Sequence, residues 1–209
     1  MSEVATDAAV EAAVTAIRAG RPAVLPTDTV YGLCASAYRA DPVRALYRLK
    51  GRGDGQPTAL VVADFELMLE CVPELRGRSA TLARVLLPGP YTLIVRNPAR
   101  RYPWLTGSAP ETIGVRVPEL AGTARFVLDR VGALAATSAN VPGGPDPATL
   151  QEVPAEIRAG CAAVVDGGTL PGVPSTVLDL TGSEPRVVRE GAAPAAEALD
   201  RLRAVLEPS

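Results

Sequence analysis

Histidine is absent from the 209 residues, and that absence alone removes a wide range of chemistry. Without an imidazole there is no Ser-His-Asp or Cys-His nucleophile, no HExxH zinc site and no histidine acid or base. Cysteine is scarce. Cys34, Cys71 and Cys161 are far apart and form no CxxC, which argues against a disulfide framework or a thiolate metal centre and leaves reduced core thiols as the plain reading. Lysine is scarcer still, since Lys50 is the one lysine among 21 basic residues. Such a bias is mostly genome composition, yet an ammonium and a guanidinium are not interchangeable at a site, so Lys50 is a position to inspect. An excess of positive charge is also missing: the net charge is −2, with no basic footprint for sequence-independent nucleic-acid binding. No apolar run approaches the roughly 18–20 residues of a membrane span. The opening MSEVATDAAV lacks the basic region of a signal peptide. The expectation is a soluble, cytoplasmic chain with no membrane partner.

What is present suffices for a folded core. Hydrophobic residues make up 47% and charged residues 21%, values of an ordinary globular protein, and the length suits one domain over 1–209. Val10, Ala13, Val14 and Ile17 recur at helical spacing over residues 5–19, with Gly20 past the end. DPVRALYRLK (41–50) reads as a helix with Asp41 as N-cap, Pro42 at its first position and Gly51 closing it. Further helices are expected over 65–71, 79–87, 120–130 and 195–206. Strands are expected over 23–25, 58–63, 91–96, 113–117, 133–137, 162–166, 176–180 and 186–189. Strands and helices intermix throughout, so the fold class is α/β (α+β mixed) with a mixed sheet.

Four clusters break the hydrophobic pattern. Pro26-Thr27-Asp28-Thr29-Val30-Tyr31-Gly32-Leu33 follows a strand and gathers hydroxyls and a carboxylate. It fits a ligand site at a strand end or a turn capped by Thr27 or Asp28. Lys50-Gly51-Arg52-Gly53-Asp54-Gly55-Gln56-Pro57 could converge amides and cations on a polyphosphate, or be a capped helix end and a solvated loop. In Thr-Ile-Gly-Val-Arg-Val-Pro (112–118) the alternation puts Thr112, Gly114 and Arg116 on one face, either beside a ligand or simply facing water. Thr137-Ser138-Ala139-Asn140 ends another strand, and Pro174-Ser175-Thr176-Val177 and the strand carrying Arg189 are of similar type. Composition and spacing suggest an anion-binding crevice and name no reaction.

In order, PTDTVYGL (26–33), KGR with a later proline (50–57), LPGPYTL (87–93), TIGVRVP (112–118), SAN (138–140), PSTV (174–177) and RVVREG (186–191) resemble the threonylcarbamoyl-AMP synthases, the YrdC-like family, in its short single-domain branch without an additional C-terminal domain. The resemblance implies a twisted mixed sheet bent around a concave cavity and flanked by helices. It implies synthesis of threonylcarbamoyl-adenylate from L-threonine, bicarbonate and ATP, with release of pyrophosphate. Downstream, a tRNA threonylcarbamoyl transferase complex would pass the group to the adenosine beside the anticodon. On matching positions, Thr27, Arg116 and Ser175 would hold threonine, Arg116 by a bidentate carboxylate pair. Lys50, Arg52, Thr112, Ser138, Asn140 and Arg189 would hold ATP with its Mg2+-bound phosphates, Lys50 and Arg52 acting in catalysis. No dedicated protein ligand set for the metal is expected. Tyr31 would wall the pocket.

The chain departs from the family pattern at Gln56-Pro57-Thr58, where relatives often have Asn-Pro-Leu and a following histidine, and at Pro142-Gly143 after SAN, where Ser-Gly is frequent. Two alternatives compete with the synthase. One is an RNA-binding module of the same fold, for which Arg48, Arg52 and Arg116 would form a local basic patch. The other is a carbamoyl-transfer domain of the hydrogenase-maturation type, which would bring acylphosphatase-like and zinc-finger segments that are not in this sequence.

Overall fold

The structure is a computed structural model that describes residues 3–206. Helix α1 (Glu3–Arg18) leads into strands β1 (Ala23–Leu25) and β2 (Gly32–Ser36), then α2 (Ala40–Lys50) and β3 (Ala59–Val62). Two short helices, α3 (Phe65–Cys71) and α4 (Arg78–Leu86), precede the antiparallel pair β4 (Tyr91–Arg96) and β5 (Thr112–Arg116). After α5 (Gly122–Val131) come β6 (Ala133–Ser138), α6 (Ala155–Gly160), β7 (Ala163–Val164), β8 (Thr176–Asp179), β9 (Arg186–Arg189) and α7 (Ala195–Leu206). All nine strands join one mixed sheet in the order β7-β1-β2-β6-β3-β5-β4-β8-β9.

Local chemistry accounts for most of the boundaries. Asp64 caps α3, its carboxylate accepting the Leu67 amide at 2.8 Å. Gly51 ends α2 in the left-handed conformation at φ 70°, its amide donating to Arg48 O. The expected cap of α2 is corrected by two residues: Arg39 is the extended cap residue, without a side-chain cap bond, and Asp41 and Pro42 both lie inside the first turn. The first turn tolerates them, because its amides lack intrahelical partners and its dipole favours a carboxylate. The strand expected over 162–166 pairs only at Ala163 and Val164.

Strand alternation gives the sheet two different faces. On one, Leu33 and Ala35 of β2, Leu60 and Val62 of β3, Ile113 and Val115 of β5, and Leu93 and Val95 of β4 are buried in the main core. Val43, Leu46 and Tyr47 of α2, Met68 of α3, Leu82 and Leu86 of α4 and Leu202 of α7 pack in the same core. Each buried Val, Leu, Ile or Met side chain among them contributes roughly 1.5–3 kcal/mol by leaving water. On the other face, Cys34, Val61 and Leu134 form a second core with Val10, Ala13, Val14 and Ile17 of α1 and Val127 and Leu128 of α5. These helices cover the β1-β2-β6-β3 half. Beyond them, on β5, β4, β8 and β9, the same face lines a cavity whose other end reaches back to Cys34, Val61 and Leu134.

Candidate active site

The register carries one row of side chains from the covered half into the open half. Val61 lies beside Arg116, and Thr92, next to Leu93 on β4, lies beside Val177. The neighbouring row holds Gly114 beside Ile94. Where Val and Leu face helices on the covered half, Thr92, Gly114 and Arg116 face a cavity of about 380 Å3, within the range of small-molecule sites. Thr27, Arg52, Thr112, Arg116, Ser138, Ser175 and Arg189 all line it. They come from six strands and loops spread along the sequence. Gly114 provides floor space: a Cβ added there would sit 3.5 Å from Thr92 Cγ2, an ordinary contact, and project from the floor.

The loop from Pro26 to Tyr31 is shaped by its own side chains. Thr27 Oγ1 accepts from the amides of Thr29 and Val30, both at 3.2 Å, and donates to Val30 O at 2.7 Å. The turn reading of Thr27 is therefore correct for its hydroxyl, although the residue still lines the cavity. Asp28 does not cap the turn as the sequence suggests. Its Oδ1 accepts from Arg116 Nη2 and its Oδ2 from the Glu119 amide at 3.1 Å. Thr29, with no exposed surface, accepts from the same Arg116 Nη2 at 2.9 Å. Burial raises the Asp28 carboxyl and lowers the Arg116 guanidinium, and the attraction between them opposes both shifts. Tyr31 does not wall the cavity. It is wholly buried, accepts from the Gly167 amide at 2.9 Å and donates to Gly168 O at 2.8 Å, tying this loop to the segment after β7.

Arg52 is held by the departing Gln56-Pro57-Thr58 stretch. Its Nη2 reaches Pro57 O at 2.6 Å, Thr58 Oγ1 at 2.7 Å and Gln56 O. Two of these acceptors are main-chain carbonyls, so the residue type at 56 matters little to the anchor. Arg52 also lies over the Tyr47 ring at 5.1 Å, and its Nε is buried without a partner. Across the cavity, Arg189 donates to Ser175 O at 2.7 Å, while Ser175 Oγ is 2.9 Å from Thr92 Oγ1. These two segments touch because of Gly191, where a Cβ would lie 2.3 Å from Pro174 O. Only glycine fits there.

Lys50 and Asn140 are not among the lining residues. Lys50 is 6% exposed, and its Nζ donates to Ser138 O (2.6 Å), Asn140 O (2.9 Å) and Asn140 Oδ1 (2.7 Å), which uses all three hydrogens. Ser138 Oγ also donates to Asn140 Oδ1 at 2.7 Å, and Asn140 Nδ2 donates to Gly144 O at 2.6 Å. In this structure the lone ammonium thus braces the SAN loop from behind, and Ser138 is the member of that loop that faces the cavity. Burial, followed by the nearby Arg52 charge, pushes Lys50 down to about 8. The Pro142-Gly143 departure closes the loop as a turn, with Gly143 at φ 79° and Gly144 N donating to Val141 O at 3.0 Å. Pro followed by a left-handed Gly is the pattern of a type II turn.

Asp28, Thr29 and Thr92 belong to the site although sequence reasoning gave them no ligand role. All three stand inside the quoted motifs, but no spacing rule links position 28 to 116, 88 residues away. Among the described residues no group of His, Cys, Asp and Glu could hold a metal ion, and no helix is long and apolar enough to cross a membrane. The cysteines are free. Burial holds Cys34, at the covered end of the cavity, and Cys161 up at about 12, as inert thiols.

Known proteins resemble this chain in sequence and in fold. The Sua5/YciO/YrdC family profile, described as "Telomere recombination", matches residues 15–191. A putative threonylcarbamoyl-AMP synthase of Mycobacterium tuberculosis is 36% identical over 180 residues, which cover 86% of this chain and 82% of that protein. The crystal structure of Pyrococcus abyssi Sua5 complexed with L-threonine superposes with a TM-score of 0.84 at 31% identity, covering 92% of this chain and 56% of that one. Escherichia coli YciO superposes with a TM-score of 0.81 at 26% identity, covering 93% of both chains. The described residues thus share the mixed sheet and flanking helices of these structures, and the chain spans just over half the length of the archaeal protein.

Proposed function

The chain belongs to the Sua5/YciO/YrdC family, and on that premise we propose that it is an L-threonylcarbamoyladenylate synthase. It joins L-threonine, bicarbonate and ATP into threonylcarbamoyl-AMP and releases pyrophosphate. The observation that carries this reading is the single cavity on which Thr27, Arg52, Thr112, Arg116, Ser138, Ser175 and Arg189 converge. Its polar side chains are hydroxyls and guanidiniums, donors suited to a carboxylate and to phosphate oxygens, and no histidine is needed.

In this mechanism the N-carboxylated threonine presents a carbamate oxygen to the α-phosphorus. The new P–O bond forms as the bond to the β-phosphate oxygen breaks, and pyrophosphate leaves. The protein's task is positioning and neutralisation of charge. Arg116, with Thr27 and Ser175 nearby, holds the amino acid. Arg52, Thr112, Ser138 and Arg189 face the nucleotide, and Lys50 and Asn140 keep the Ser138 loop in place. Magnesium arrives as the counter-ion of the ATP phosphates, as part of the substrate. Arg116 Nη2 has both hydrogens engaged and Nε is buried, so a threonine carboxylate meets Nη1 unless it displaces Thr29. The bidentate pair expected from sequence thus needs a rearrangement. The product would pass to a tRNA threonylcarbamoyl transferase complex in the cytoplasm, for modification beside the anticodon.

Pyrophosphate release from Mg·ATP should require both threonine and bicarbonate. Equal release with threonine omitted, or none with all substrates present, would sink the synthase reading.

A further inference from the structure

Arg116 is held unlike any other cavity cation. Arg52 is anchored largely by main-chain carbonyls and Arg189 by Ser175. Arg116, by contrast, is gripped by a buried carboxylate and a buried hydroxyl on one nitrogen. Its side chain is 11% exposed and that of Asp28 is 9% exposed. Asp28 is itself fixed from the far side by the Glu119 amide, three residues beyond Arg116, so its carboxylate bridges the end of β5 to the loop after β1. Thr29 is fixed by the turn that Thr27 builds. Nε of Arg116 is left buried without a partner. A buried guanidinium deprived of its counter-charge would be both unstable and free to swing.

We propose that Asp28 is a positioning residue for the amino-acid substrate, acting through Arg116: it and Thr29 take both hydrogens of Nη2 and so fix the guanidinium with Nη1, the one nitrogen neither bonded nor buried, as its donor toward the cavity. The inference rests on the reading of Arg116 as the carboxylate-binding group. Asp28 lies behind Arg116 and makes no cavity contact of its own. The pair sets where the substrate carboxylate can sit, and hence where the carbamate nitrogen lies relative to the nucleotide.

The test uses the full chain, with L-threonine affinity measured by calorimetry and both KM values by pyrophosphate release. Asp28→Asn should weaken threonine binding at least about tenfold while the ATP KM stays within about twofold, because a charge-assisted partner of one substrate's anchor is lost. Asp28→Glu should recover part of the affinity by restoring the charge. Thr29→Val, nearly isosteric, should weaken threonine binding in the same direction by a smaller factor. A folded Asp28→Asn protein with wild-type threonine affinity would overturn the proposal, as would equal losses for threonine and ATP. If Asp28→Asn does not fold, unchanged threonine affinity in Thr29→Val overturns it instead. Failure of the wild-type protein itself to bind threonine would refute the synthase reading, and this inference with it, before any variant is compared.

Discussion

The two halves of this sheet face share one strand alternation and differ in what their alternating positions carry. On the β1-β2-β6-β3 half those positions are Cys34, Val61 and Leu134, which pack with α1 and α5 and form the apolar end of the cavity. On the β5-β4-β8-β9 half they are Arg116, Gly114, Thr92 and Ser175, and a cavity remains. The lesson is physical. Apolar side chains gain by excluding water, so helices pack on them. Hydroxyls and guanidiniums would lose their hydration under a helix without enough partners. The open half keeps polar contacts that fix its geometry, among them Asp28 and Thr29 on Arg116, Ser175 on Thr92 and Arg189 on Ser175.

Breaking the closed half should cost stability and leave chemistry alone. Ile17 of α1 is 1% exposed and does not line the cavity. Ile17→Ala should lower unfolding free energy by about 2–5 kcal/mol, with the KM for each substrate unchanged per folded molecule. Denaturant titration beside steady-state kinetics checks both parts. A shifted threonine KM would show that the two halves are mechanically coupled.

Breaking the open half should do the reverse. Gly114→Val meets only ordinary contacts at its Cβ, so the melting temperature should barely move. The added methyl groups occupy the cavity floor between the two proposed substrates, and a displacement of about 1 Å there is worth about 100-fold in rate. A stable variant with normal kcat/KM would mean that the substrates do not use this floor.

Lys50 sharpens the comparison by the smallest effect, because it is a charge buried beside the open half. As the one lysine it gives a single side-chain resonance in lysine-labelled protein. That resonance should titrate at about 8, well below the 10.5 of an unburied lysine. The unfolded chain therefore binds more protons than the folded one between those two values, so the Lys50 contribution to stability rises as pH rises through that window. Deprotonation also removes one of the three donors to Ser138 and Asn140, so nucleotide affinity should begin to fall above about pH 8. Titration at the ordinary value would show that the brace is not buried in solution.

Much of this was legible beforehand. The alternation in Thr112–Val117, the helix closed by Gly51 and the seven ordered motifs are local patterns, and local backbone physics reads them directly. The site was harder. Lys50 stood out by composition, but its direction was not readable, because a helix C-terminal cation can turn toward a ligand or toward the next loop. The role of Asp28 was hidden for the same reason. Thr27 and Asp28 are equally good turn cappers on paper, and only the approach of β5 gives Asp28 a buried cation to neutralise.

The sequence by itself determined the periodicities, the exclusion of imidazole and thiolate chemistry, and the set of polar residues available to a site, since each depends on residue type and near neighbours. The tertiary structure decided which of them meet. Strand order brought β3, β5, β4 and β8 side by side, Gly191 let the segment after β9 touch Pro174, and the limited reach of α1 and α5 left half a face open. Those are pairings across long stretches of chain, fixed by where apolar surface could be buried most completely, and no local pattern encodes them.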